Sequence, residues 1–386
     1  MRLPYPVYSS DSHVIEPADL WTTRMDARWR DLAPRVVALE DTDIWVVDRD
    51  IRLAVVGIQD QAGFRFEGPG KISKKARMDA LRHGAAGWTP DLYMEGLAED
   101  GVSGALLYPS TAVQAYRCVE GPLLAALART YNDWIVEFCA ADPQRLKAVA
   151  MITVDDPVDG VAEMHRMAGL GAAALMLPVF PKYPTTYDQP EYEPVWAAAA
   201  DIGLPIVFHL GSNQRGRHGE PPLDLIVHAT KDVHIQRSVG ILVLSGLFGR
   251  YPRLRVGAIE FGASWAAPLM RRLDTLYARH HRLLDYRFPD GESPSDQFRR
   301  AVFLGFQDDR ACIPIRHHLG VENLQWGNDF PHAESTYPRS HEFLAAHFAG
   351  VPDDEAAAIA GGNAIAMYGF AVESVGVGGG RPAGTP

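Results

Sequence analysis

From about residue 101 onward, two textures alternate along the chain: short, almost unbroken apolar runs, and longer stretches in which apolar residues recur every three or four positions. Unbroken runs suit strands buried on both faces of a parallel sheet, and the longer recurrence suits amphipathic helices. With the opening VYSSDSH (7–13), the runs are GALLYPS (104–110), LKAVAMI (146–152), AAALMLP (172–178), PIVFHLG (205–211), LRVGAIEFG (254–262), AVFLGFQ (301–307) and LQWGNDF (324–330). Helices are predicted between them at 122–141, 194–203, 264–284 and 341–350. Eight strands in βα alternation predict an α/β fold closed into a barrel.

The first connection breaks the rhythm. Residues 14–100 are far longer than an ordinary βα loop, and within them DIWVVDRDIRLAVVG (43–57) predicts a hairpin turning near Asp48-Arg49-Asp50. The stretch is read as an insertion over the barrel mouth, serving as a lid or an oligomerisation element. A second irregular piece, GSNQRGRHGEPPLDL (211–225), follows the fifth strand and has the composition of a mobile active-site loop. Residues 1–371 form one predicted domain, and the Gly-rich tail, 372–386, is expected to be disordered.

Composition narrows the function classes. A net charge of -11 without any Lys/Arg run argues against nucleic acid as a partner. No window is long and apolar enough to span a membrane, and the N-terminus lacks the apolar core of a signal peptide. Cys118, Cys139 and Cys312 are odd in number and widely spaced, so they predict neither a disulfide framework nor a zinc-thiolate knot, and a reducing cytoplasm is expected.

Active sites of such barrels stand at the C-terminal ends of the strands. The first predicted strand ends in Asp11-x-His13, whose side chains share a face by strand alternation. The fifth ends in His209, the sixth in Glu260, and the eighth in Asp329 followed by Pro331-His332. Each has a plainer reading, His209 as a core histidine and Asp329 as a turn cap. Glu260 between Ile259 and Phe261 is costlier to explain without a partner or a metal. Together they predict a site for Zn²⁺, with Mn²⁺ or Fe²⁺ as alternatives given the oxygen content, and with positions left open for water and substrate.

Of the remaining histidines, His228, His234, His280, His281, His317, His318, His341 and His347 fall on predicted helices and loops, most as surface or capping residues, and His83 and His165 carry no discriminating signal. The exception is His218, which is placed in the loop after the fifth strand within reach of substrate. Arg117 and Arg215 are candidates to grip a substrate carboxylate, and Trp21, Trp88, Tyr108, Phe180, Tyr183 and Trp265 are candidates to wall an apolar pocket.

Seven motifs in order, DSHVIEP, EDGVSGALLYPS, YNDWIVEFCAADPQRLKAVAMI, PIVFHLG, YPRLRVGAIEFGASW, WGNDFPH and GNAIAMYGF, give the chain its likeness. It resembles the amidohydrolase superfamily, in the branch of aminocarboxymuconate semialdehyde decarboxylase and the aromatic-acid decarboxylases. The resemblance implies a distorted TIM barrel with one catalytic metal, held by Asp11 and His13 in place of the family's H-x-H, and by His209 and Asp329. It also implies a homodimer or higher homo-oligomer. Glu260-Phe261-Gly262 stands where the decarboxylases carry an H-x-G-type motif with an assisting histidine.

The substrate is expected to be a small carboxylated, aromatic molecule. In the decarboxylase version the metal chelates its carboxylate and a neighbouring hydroxyl, and Asp329 protonates the carbon that loses carbon dioxide. In the hydrolase version a metal-activated water loses its proton to Asp329 and attacks an amide, ester or lactone, while Glu260 or His332 protonates the leaving group. Decarboxylation is placed first, with hydrolysis as its alternative. Hydration of an unsaturated acid, and a binding barrel without chemistry, are the further ones.

Overall fold

The computed structural model describes residues 2–68, 71, 76–81, 89–182, 184–212, 226 and 229–371. Eleven strands are present among them: β1 (Tyr8–Val14), β2 (Arg35–Ala38), β3 (Asp43–Val47), β4 (Ile51–Val55), β5 (Gly104–Pro109), β6 (Leu146–Met151), β7 (Ala174–Leu177), β8 (Ile206–His209), β9 (Val256–Ile259), β10 (Val302–Phe306) and β11 (Leu324–Trp326). Eight of them form one parallel sheet in the order β1-β5-β6-β7-β8-β9-β10-β11, the predicted set in the predicted order. At the seam, Asp329 N donates to the Asp11 carbonyl and His13 N to that of Phe330, which ties the end of the last strand to the first. This is the α/β architecture of a TIM barrel, nearly closed.

Apart from the polar β1, the barrel strands are mostly apolar because both faces are covered, by the barrel interior and by the helices outside. Every residue of β5, β7, β8, β9, β10 and β11 is buried. The predicted helices appear at Gly121–Cys139, Glu193–Ile202, Ala266–His280 and Ser340–His347. Local chemistry fixes other helix starts: Asp156 accepts from Val158 N and Asp159 N before Pro157–Gly169, and Ser293 forms a capping box with Asp296 before Pro294–Ala301.

The predicted hairpin is present as β3 and β4, with Asp48 and Arg49 at positive φ in its turn. A third strand, β2, which the sequence reading omitted, pairs antiparallel with β3. Trp45 of β3 meets Trp21 edge to face at 5.4 Å, and Trp21 Nε1 donates to Leu127 O in the helix Gly121–Cys139, so this small sheet is anchored on the barrel's outer wall. Beyond it the chain turns over the strand ends. Gln61 N and Ala62 N donate to Pro331 O, Gln59 Nε2 donates to Thr111 Oγ1 at 2.6 Å, and Arg65 binds Glu334 O and Asp308. The last part of the 14–100 stretch, Pro90–Asp100, is the helix that leads into β5. The tail 372–386 lies outside the described residues.

Candidate metal centre at the strand ends

Two backbone irregularities aim the centre. Strands predicted to run through residues 262 and 330 end instead at Ile259 and Trp326, because the chain beyond them turns: Glu260 has φ +68° and Asp329 φ +58°. Left-handed backbone is costly for a residue with a Cβ and is held only where the surroundings dictate it. Gly327 supplies the close approach of β11 to β1, since a Cβ there would stand 2.4 Å from the Asp11 Cβ.

The fold brings together Asp11, His13, His209, Glu260, Asp329 and His332. His13 Nε2 lies 3.6 Å from Asp11 Oδ1 and 3.4 Å from Asp329 Oδ1. His209 Nε2 lies 3.1 Å from Asp11 Oδ1 and 3.5 Å from Glu260 Oε2, and His332 Nδ1 lies 2.9 Å from Asp329 Oδ1. Asp11, His13, His209 and Asp329 are almost wholly buried.

Each of the first two imidazoles is oriented by the backbone. His13 Nδ1 donates to Pro109 O at 3.1 Å and His209 Nδ1 to Leu210 O at 2.7 Å, which turns both Nε2 atoms toward the carboxylates. Burial and the neighbouring His332 and His209 hold the His13 pKa well below its ordinary value, so His13 presents a lone pair at Nε2. That buried atom has no hydrogen-bond partner among the described residues. A buried lone pair facing two carboxylates is unfavourable unless a cation lies between them. The donor set therefore fits a divalent ion, with Asp11, His13 and His209 forming one possible ligand group and His13, Asp329 and His332 an overlapping one. Both groups share the single Nε2 of His13, so they describe one position and not two.

Burial alone would lower the His209 pKa, but the Asp11 and Glu260 charges outweigh it and raise it to about 9. Glu260 is raised by burial and by Asp329, so in the metal-free protein it holds a proton near neutral pH. For His332, burial is outweighed by Asp329, and its pKa is raised.

The other sequence candidates divide. Arg215, His218, Trp88 and Tyr183 lie outside the described residues. Trp265 is buried, with its indole N–H donating to Gly262 O at 2.8 Å and its ring edge to face with Phe298. Trp21 belongs to the outer-wall packing described above. Tyr108 is buried against the His209 ring, centroids 4.5 Å apart. Arg117 donates to Gln114 Oε1 at 3.4 Å. His347, read from sequence as a surface or capping residue, is buried against Phe343.

Four residues around the centre were not singled out from sequence. Ser110 Oγ meets His332 Nε2 at 2.8 Å, and Gln307 Nε2 donates to Asp329 Oδ2 at 3.2 Å. Asn328 Oδ1 accepts from Ser12 Oγ, while the Glu16 carboxylate accepts from Thr111 N and Ala112 N. Ser110 and Gln307 end the predicted strands GALLYPS and AVFLGFQ, so the strand-end rule that selected His209 also reaches them.

Three comparisons bear on this arrangement. The amidohydrolase family model matches residues 83–370. The chain is similar to the gamma-resorcylate decarboxylase of Rhodococcus jostii strain RHA1, 27% identical over 232 residues, covering 53% of this chain and 66% of that protein, just under two thirds of its length. Among solved structures it is similar to an amidohydrolase from Mycobacterium avium subsp. paratuberculosis K-10, with a TM-score of 0.77, 21% identity, and coverage of 95% of this chain and 100% of the other. It is also similar to a dihydroxybenzoic acid decarboxylase from Polaromonas sp. JS666 with bound manganese and the inhibitor 2-nitroresorcinol, with a TM-score of 0.61, 15% identity, and coverage of 95% and 97%. At these identities the structural likeness establishes the fold.

Proposed function

This chain belongs to the amidohydrolase family, and on that premise we propose that it is a divalent-metal-dependent carboxy-lyase that removes carbon dioxide from a small hydroxylated aromatic acid. The observation that carries the metal is the unpartnered, buried Nε2 of His13 facing two carboxylates. The likeness to a gamma-resorcylate decarboxylase supports the choice of substrate class.

In this reading Asp11, His13, His209 and Asp329 hold one ion. When bound, that ion supplies the positive charge that retains the substrate carboxylate and a neighbouring hydroxyl. Of the metals considered from sequence, we place Mn²⁺ ahead of Zn²⁺, because a similar decarboxylase carries manganese. Asp329 protonates the ring carbon that bears the carboxylate. A C–H bond forms there, the bond to the carboxylate carbon breaks, and carbon dioxide leaves. His332, 2.9 Å from Asp329 Oδ1 and backed by Ser110 at 2.8 Å, restores the proton to Asp329.

Glu260 stands where a histidine assists the related decarboxylases. In the metal-free protein burial and Asp329 raise its pKa, so there it can donate a hydrogen bond as a neutral imidazole does. The likeness to a gamma-resorcylate decarboxylase places decarboxylation ahead of hydrolysis, the second reading.

Within the 14–100 stretch we further assign residues 59–65 the role of covering the mouth, on their contacts with the strand ends. Three cysteines that form no disulfide support a cytoplasmic setting. No helix among the described residues is long and apolar enough to cross a membrane. Assembly as a homodimer or higher oligomer belongs to the same reading, and sedimentation tests it.

The deciding experiment loads the purified protein with Mn²⁺ and offers hydroxybenzoates beside lactones. Carbon dioxide release from a hydroxybenzoate is expected. Turnover of lactones alone replaces the carboxy-lyase with a hydrolase, and turnover of neither leaves the binding barrel.

A further inference from the structure

The two carboxylate oxygens of Asp329 have unlike surroundings. Oδ1 faces the centre, 3.4 Å from His13 Nε2 and 2.9 Å from His332 Nδ1. Oδ2 faces away and accepts from Gln307 Nε2 at 3.2 Å. The same Nε2 donates to the Asn328 carbonyl, 3.4 Å away, so one amide grips both the carboxylate of Asp329 and the peptide group that precedes it. Its orientation follows from chemistry: both neighbours are acceptors, and a reversed amide would set an oxygen against them.

We infer that Gln307 is a positioning residue that determines which oxygen of Asp329 serves the centre; the inference rests on the metal-dependent reading above. With Oδ2 accepting from Gln307, Oδ1 is the oxygen left toward His13 and His332, where the ion would be held. The backbone of Asp329 makes such a clamp necessary. Its φ of +58° points the side chain in a direction that ordinary strand geometry does not stabilise. Asn328 holds the same turn from the other side, with Oδ1 accepting from Ser9 Oγ, Ser12 Oγ and Phe330 N and Nδ2 donating to Asp100 Oδ2. Asn328 fixes the backbone. Gln307 is the contact that reaches the carboxylate itself.

A residue that merely tied β10 to the end of β11 would contribute to stability and leave metal affinity alone. The test therefore reads both. Wild type and Gln307→Met, which has similar length and no donor, are stripped by chelation, melted without metal, and titrated with Mn²⁺ by calorimetry. Gln307→Met is expected to fold and to bind Mn²⁺ about 10- to 100-fold more weakly, with at most a modest fall in the metal-free melting temperature from the two lost hydrogen bonds. Wild-type affinity in the folded variant overturns the inference, whether or not the melting temperature falls. Should Gln307→Met not fold, Gln307→Ala carries the same titration with the same two outcomes. A wild type that binds Mn²⁺ but releases carbon dioxide from no aromatic acid sinks the carboxy-lyase and leaves the affinity comparison standing. A wild type that takes up no Mn²⁺ overturns both.

Discussion

Glu260 Oε2 stands 3.5 Å from His209 Nε2, and in the metal-free protein both groups have raised pKa values, His209 at about 9. Groups whose folded-state pKa exceeds the unfolded one stabilise the fold below the unfolded value and lose that contribution as pH rises through the folded one. The unfolded values are about 4.3 for Glu and about 6.5 for His. The metal-free melting temperature is therefore expected to fall as pH rises from about 5 to 9. Metal binding has the opposite slope, because the protons must leave before a cation enters. Calorimetry at pH 7 in two buffers of different ionisation enthalpy should show proton release, and Mn²⁺ affinity should climb with pH. An affinity that is flat between pH 6 and 8, with no proton released, removes this account.

Asp329→Asn keeps the shape of the side chain and cannot deliver a proton. We expect kcat to fall by about 10²- to 10⁴-fold with unchanged circular dichroism. A folded, metal-loaded variant that turns over at the wild-type rate would take Asp329 out of the chemistry.

Gly327→Ala places a methyl group 2.4 Å from the Asp11 Cβ and 2.8 Å from its backbone nitrogen. Either β1 or β11 must move, at an expected cost of about 1–3 kcal/mol, and Asp11 moves with it. Chemical denaturation and Mn²⁺ titration should register both losses; wild-type values in both would show that the seam yields freely.

Glu260→Gln retains a hydrogen-bond donor and removes a titratable group, whereas Glu260→Leu removes both. If Glu260 acts as a neutral donor, the glutamine variant keeps much of its kcat at pH 7 and the leucine variant loses it. Equal rates in the two variants would mean that the donor is not used.

Arg65 pins the cover. Its guanidinium donates to Glu334 O at 2.6 Å and to Asp308 Oδ2 at 3.1 Å, and it lies over Phe343. Arg65→Ala should speed hydrogen exchange across residues 59–66 and raise KM more than it lowers kcat. Exchange unchanged by the substitution or by substrate would argue that this segment does not guard the mouth.

Much of this protein is legible in one dimension. Runs such as AAALMLP, too short for a helix and bounded by Gly and Pro, read as strands buried on both faces, and eight of them alternating with amphipathic stretches point to a barrel. The rule that barrel chemistry stands at strand ends then selects Asp11, His13, His209, Glu260, Asp329 and His332 before any coordinate is known. What alternation does not reveal is where a strand stops. Glu260 and Asp329 leave their strands through left-handed backbone, a conformation that Asp tolerates better than most residues but that the surrounding contacts impose. The third strand of the insertion, β2, escaped notice for a related reason: its half-exposed RVVA carries too weak a pattern until β3 pairs with it. The unequal oxygens of Asp329, the lone pair of His13 and the raised pKa of Glu260 arise from groups at different strand ends brought together in space, where burial and charge act together. Sequence alone determined which residues stand at the mouth; tertiary structure decided which atom of each faces inward and whether it carries a proton.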